Sequence, residues 1–358
     1  MRLRFFLGLA TLAIVVSAII IVTTDRKATT PGTRPAASTG RNAQSPGPHR
    51  FEPIAMGRSF PPLSGFEIVE TDRAVGRVDD TETVLGLSIN GQARAYPIGL
   101  IADVEREIVN DTVAGRPIVV TWCNHYQDGL AFSRKVGDQT LTFFIDGTLW
   151  DDNMVMRDVE TGTLWSQLLG LAEQGSLEGR PLERLPALLT DWKTWRLSHP
   201  STTVLILPRT APLLSHQDRY NVKTDPFLLG LTNGETTFTW AFDQLAKEPV
   251  VNDRCGDKPI LIYFDKLKAT VALYSRVVDG RELSFRLDQG KLIDESSNST
   301  WNPLIGLAVA GPLAGTRLEP LAGVVIPKSR WEKFHPKSRQ WKAEASSKDA
   351  GLKPKADG

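Results

Sequence analysis

Two cysteines in 358 residues are too few for a disulfide framework, which a chain of this size does not need even outside the cytoplasm. A single Cys123–Cys255 bond is the one pairing open to it. Charge of one sign is also missing. The 42 Lys and Arg stand against 41 Asp and Glu, a net charge of +1. That balance gives no global electrostatic case for a nucleic-acid partner or an acidic membrane surface. Methionine is scarce, at four including the initiator. The chain has no His-Glu-x-x-His and no Gly-x-Ser-x-Gly. Gly311-Pro-Leu-Ala-Gly315 is glycine-rich, but no Lys-Ser/Thr follows it, so it is no phosphate loop.

What is there is an ordinary globular composition, 41% hydrophobic and 23% charged, long enough for two domains and biased only at its ends. Phe5 to Val22 is an 18-residue run without a charge, preceded by Arg2 and Arg4. It reads as a membrane-spanning helix with its N-terminus inside, within residues 1–26. The alternative is a cleaved signal peptide, but those have apolar cores of about 7–15 residues and a small-x-small site that is not found here. Either way the bulk of the chain is expected outside the cytoplasm, in the cell envelope, held to the membrane through this segment. Residues 27–50, rich in Thr, Pro, Ala, Ser and Gly, have almost nothing to bury and read as a flexible linker. Residues 337–358 read as a disordered tail.

Between them the sequence repeats itself. Val109-Asn110-Asp111 recurs as Val251-Asn252-Asp253, Pro117 as Pro259 and Ser133-Arg134 as Ser275-Arg276, each 142 residues on. Further along, Trp165 pairs with Trp301, Leu182-Glu183 with Leu318-Glu319 and His199-Pro200 with His335-Pro336, each 136 residues on. So long a period marks a duplicated domain, not a solenoid. Strand-length apolar runs separated by turn signals, with Asn90-Gly91 between two alternating runs as the clearest hairpin, predict a mainly β fold. It consists of two related units, copy 1 over 51–209 and copy 2 over 210–336.

The duplication supplies an internal comparison. Features common to both copies, such as the four tryptophans Trp165, Trp301, Trp195 and Trp331 and the two His-Pro pairs, are read as serving the fold. Two features belong to copy 1 alone. Ile118-Val-Val-Thr-Trp122 reads as a buried strand ending in Cys123-Asn-His125-Tyr-Gln-Asp-Gly129. Copy 2 has Asp265 and Leu267 opposite Cys123 and His125. Copy 1 also spans 22 residues from Phe143 to Trp165, where copy 2 spans 16 from Phe285 to Trp301. The surplus falls around Leu149-Trp-Asp-Asp-Asn-Met-Val-Met-Arg157.

Ile89-Asn-Gly-Gln-Ala-Arg-Ala-Tyr-Pro97, Glu107-Ile-Val-Asn-Asp111, Val120-Thr-Trp-Cys123, Asn153-Met-Val-Met156, Gly162-Thr-Leu-Trp-Ser-Gln167 and Gly311-Pro-Leu-Ala-Gly-Thr-Arg-Leu-Glu-Pro320 resemble the DUF3179 family, bacterial proteins of unknown function. The resemblance spans roughly Gly65 to Pro336 and implies no established activity. The family pattern has Cys-Pro-Leu-Cys where this chain has Cys123-Asn-His-Tyr126, so only the first cysteine carries over.

Cys123 and His125 are the most chemically capable groups. Residues i and i+2 of an extended strand share a face, so the two can meet if the chain stays extended. One reading is a soft-metal site, with copper held by Cys123, His125, Met154 and Met156. Another is a reactive thiol whose pKa His125 lowers. Asn153 and Gln167 would position a ligand or water beside either, while Asp151 and Asp152 suit a turn. A separate class of reading is a non-catalytic binding or assembly module in which Cys123 is a small buried hydrophobe.

Overall fold

Strands dominate the described residues, at 48% against 10% helix. The computed structural model describes residues 50–220, 225–234 and 236–343. Its longest helices, Trp192–Ser198 and Lys328–Phe334, have seven residues each.

In copy 1 the hairpin Thr83–Ile89/Gln92–Pro97 turns at Asn90 and Gly91, both at positive φ, as the Asn-Gly dipeptide demands. Leu188–Asp191 flanks it antiparallel on one side, and Thr203–Ile206 runs parallel on the other, with Glu67–Glu70 outermost. A second sheet is the meander Ile108–Val113, Arg116–Cys123, Asp128–Ser133, edged by Arg184–Leu185. A third runs Phe143–Trp150, Asn153–Asp158, Leu164–Ser166, Leu171–Gln174. Ile54–Ala55 adds to its edge, and Phe51 packs edge-on against Trp150.

Copy 2 repeats this order. The hairpin Phe227–Asn233/Thr236–Ala241 lies between Val324–Pro327 and Arg339–Gln340. The meander is Val250–Cys255, Lys258–Asp265, Thr270–Ser275, and the last sheet Phe285–Asp288, Lys291–Asp294, Thr300–Asn302, Leu307–Ala310. Matched side chains do the same work in each. The indole N–H of Trp165 donates to Asp158 at 2.9 Å and that of Trp301 to Asp294 at 3.0 Å. Asn110 clasps the backbone of Phe143 in both directions as Asn252 clasps Phe285. Trp195 donates to Thr202 and carries His199 stacked on it, as Trp331 donates to Ser338 under His335. Buried indoles need such acceptors, which is why these sites survive in both halves.

The copies pack reciprocally. Asp128–Ser133 of copy 1 lies against Val324–Pro327 of copy 2, and the equivalent Thr270–Ser275 lies against Leu188–Asp191. Thr190 and Thr270 hydrogen-bond across the second contact at 2.9 Å. At the first, Leu228, Val324, Ile326, Trp331 and Phe334 of copy 2 complete a core whose other members come from copy 1.

Two expectations are adjusted. Cys123 and Cys255 are both free and lie in different cores, so they form no bond. The tail does not begin at 337: Arg339–Gln340 pairs in parallel with Phe238 and Thr239, and the Trp341 amide donates to Thr239. This strand occupies the place that Thr203–Ile206 has in copy 1. The apolar segment, the linker and residues 344–358 lie outside the described residues, among which no helix is long and apolar enough to cross a membrane.

Candidate functional site

The strand Arg116–Cys123 is buried on both faces, so it shows a continuous apolar run instead of alternation. Ile118, Val120 and Trp122 face one core, Val119 and Cys123 the other. After Cys123 the chain coils. The Gln127 amide donates to the Cys123 carbonyl at 2.6 Å, closing a turn over Asn124–Gln127, and Asp128 becomes the cross-strand partner of Cys123. Asn124 accepts from the Trp122 indole at 2.8 Å and donates to Ala102, which pins the turn.

This turn corrects the expected pairing of thiol and imidazole. The i, i+2 rule holds only along extended chain, and here it stops at Cys123. The Cys123 side chain is 1% exposed, whereas His125 is exposed on the turn. Burial pushes the Cys123 thiol far above its ordinary range, and the carboxylates of Asp128 and Glu107 push it further. It is therefore protonated at neutral pH, and the thiolate is both the nucleophile and the metal ligand. Met154 and Met156 are buried core residues on one strand, at 3% and 0% exposure. His125 is exposed, while Cys123, Met154 and Met156 belong to the buried core. Among the described residues no group of three or more His, Cys, Asp and Glu could hold a metal ion.

The two supporting residues do come to this corner. Asn153 Nδ2 donates to Gln167 Oε1 at 3.0 Å and lies 4.0 Å from the Cys123 sulfur. Gln167 Nε2 donates to Thr121 at 3.1 Å and to Asp128 at 3.4 Å, and Asn153 Oδ1 accepts from the Leu168 amide. Thr121, Asp128, Asn153 and Gln167 are all buried. Copy 2 has Tyr263, Thr270 and Pro303 opposite Thr121, Asp128 and Gln167, so the network is particular to copy 1. Asp151 and Asp152 form the hairpin tip, both at positive φ, where Asp152 pairs with Lys333 and Arg330 of copy 2.

Three charged members were not anticipated. Burial raises Asp128 to about 7 against the hydrogen bond from Gln167, and one of its oxygens has no partner. Burial likewise raises Glu107, which accepts from the Asn124 amide, to about 7. Arg219, from the segment joining the copies, lies over the rings of Trp122, Tyr220 and Phe227 at 4.8–5.0 Å and donates to the Gln127 carbonyl. Such a residue arrives from outside the motif, so no spacing within the motif could reveal it.

A second feature lies between the copies. A half-open cavity of about 470 Å³ is walled by Leu85, Leu87 and Trp195 of copy 1 and Leu273, Tyr274 and Val325 of copy 2. His199, Ser201 and Arg317 line it with polar groups. The copies differ beside it. In copy 1 Arg184 lies beside Phe132, its guanidinium over that ring, and adds to burial in lowering the His335 imidazole's pKa. The equivalent position beside Tyr274 is Pro320, and both Pro320 and His199 line the cavity.

The sequence profile of DUF3179, described as a protein of unknown function, matches twice, over residues 59–228 and 210–338. The chain belongs to the DUF3179 family. The two DUF3179 matches fall on the two copies, which fits the repeated strand order. No curated protein and no solved structure matches the chain.

Proposed function

We propose that this DUF3179 protein is a non-catalytic binding module of the cell envelope, tethered through its N-terminal apolar segment, with Cys123 a structural member of the copy-1 core. The observation that carries this reading is the cavity between the copies. Its size lies within the roughly 300–1,000 Å³ of small-molecule sites, and it has the same make-up of apolar walls and few polar groups. Copy 1, by contrast, offers a buried thiol whose pKa burial raises and an exposed histidine on the turn beyond it. The network around Cys123 orders the hairpin that carries Asp152 to Lys333, and so helps hold the copies in register.

The test is occupancy. The full chain should bind a small neutral apolar probe, naphthylacetamide, by calorimetry. Ser201 is exposed at the cavity's rim, so Ser201→Trp should block entry without disturbing the fold and weaken binding by about tenfold or more. Binding that ignores Ser201→Trp places the probe elsewhere and sinks the reading.

A further inference from the structure

We infer that the cavity selects a small monocarboxylate with an apolar body, whose carboxylate pairs with Arg317; this deepens the binding-module reading and rests on it. Arg317 is exposed at the cavity and forms no ion pair or side-chain hydrogen bond among the described residues. Most other arginines near the copies' contacts are engaged: Arg219 and Arg184 by carbonyls, Arg330 by Asp152. A guanidinium left free beside a largely apolar wall is a ready partner for a carboxylate, which it can hold through two parallel hydrogen bonds.

Another titratable group in the lining limits what else fits. His199 is stacked on Trp195, and its Nδ1 lies 3.3 Å from the Trp195 carbonyl, which fixes that nitrogen as the donor. Burial and the nearby Arg317 both hold the imidazole neutral. The other ring nitrogen is then an acceptor, so His199 adds no second positive charge and repels none. Among the residues lining the cavity no Asp or Glu occurs. One cation, a neutral imidazole, the hydroxyls of Ser198, Ser201 and Thr202 and apolar walls suit one negative charge on an apolar body. They do not suit a polyanion such as a nucleotide, whose further charges a single cation leaves unbalanced.

The experiment compares naphthylacetate with naphthylacetamide, its neutral isostere, by calorimetry on the full chain. Naphthylacetate should bind more tightly, by roughly fivefold at low salt. Arg317→Gln should remove that difference, Arg317→Lys should keep most of it, and the amide should bind all three proteins alike. Equal binding of acid and amide, with no effect of Arg317→Gln, overturns the charge selection while leaving the cavity reading intact. Failure of both probes, or binding indifferent to Ser201→Trp, overturns the binding-module reading and this inference with it.

Discussion

Replacing Asp128 by Asn should make the protein more stable than the parent at about pH 8, while the two differ little at about pH 4. An aspartate in the unfolded chain releases its proton near pH 4. Burial lifts the folded-state value to about 7. Between those values the folded state keeps a proton that the unfolded state has lost, so this group's contribution to stability falls as pH rises and is flat above the window. At about 1.4 kcal/mol per pH unit the full window amounts to about 4 kcal/mol, and partial hydration of the carboxylate brings it nearer 1–3. Glu107 and Glu173, each raised by burial to about 7, act in the same direction and remain in the variant. His216 and His335, held neutral by burial at about 3 and about 4, act in the opposite sense, because the unfolded state binds the extra proton. The difference between variant and parent therefore isolates Asp128. Urea unfolding across this range checks it, and two parallel stability curves would mean that Asp128 is not held protonated.

Alanine at Gly86 or Gly230 should cost about 3 kcal/mol each. A Cβ at Gly86 would lie 2.3 Å from the Trp195 ring, and one at Gly230 2.5 Å from Trp331. Neither ring can retreat, since its N–H is bound to Thr202 or Ser338 and its face is covered by His199 or His335. Gly57, with nothing within 4 Å, is the control and should lose less than about 0.5 kcal/mol. Chemical denaturation of the three variants decides it. Equal tolerance at all three positions would contradict the close strand–helix packing that both copies share.

The repeat made the fold legible. Trp195, Trp331 and the His-Pro pairs could be assigned to structure because both copies keep them, and each proves to be an indole capped by a hydroxyl and covered by an imidazole. Asn153 was legible as a companion of Cys123 because both fall in features of copy 1 alone, and Gln167 was read beside them as a group able to position a ligand or water. The pairing of Cys123 with His125 was misread because strand periodicity was carried one step past the last extended residue, into a turn closed by Gln127. Asp128 looked like any turn aspartate, and its burial depends on a neighbouring sheet. The cavity left no local trace, since its lining is drawn from residues far apart in the chain, Leu85 to Val325.

The most direct measurement of whether the copy-1 corner is core or reactive site is the alkylation of Cys123 in the folded full chain. It is followed by mass spectrometry across pH, in the parent and in His125→Ala. A structural Cys123 should be labelled by iodoacetamide only as fast as the protein unfolds, and His125→Ala should leave that rate unchanged. Rapid labelling of the folded protein with an apparent pKa below the free value of about 8.5, shifted upward by His125→Ala, would contradict the account and restore the thiol to a chemical role.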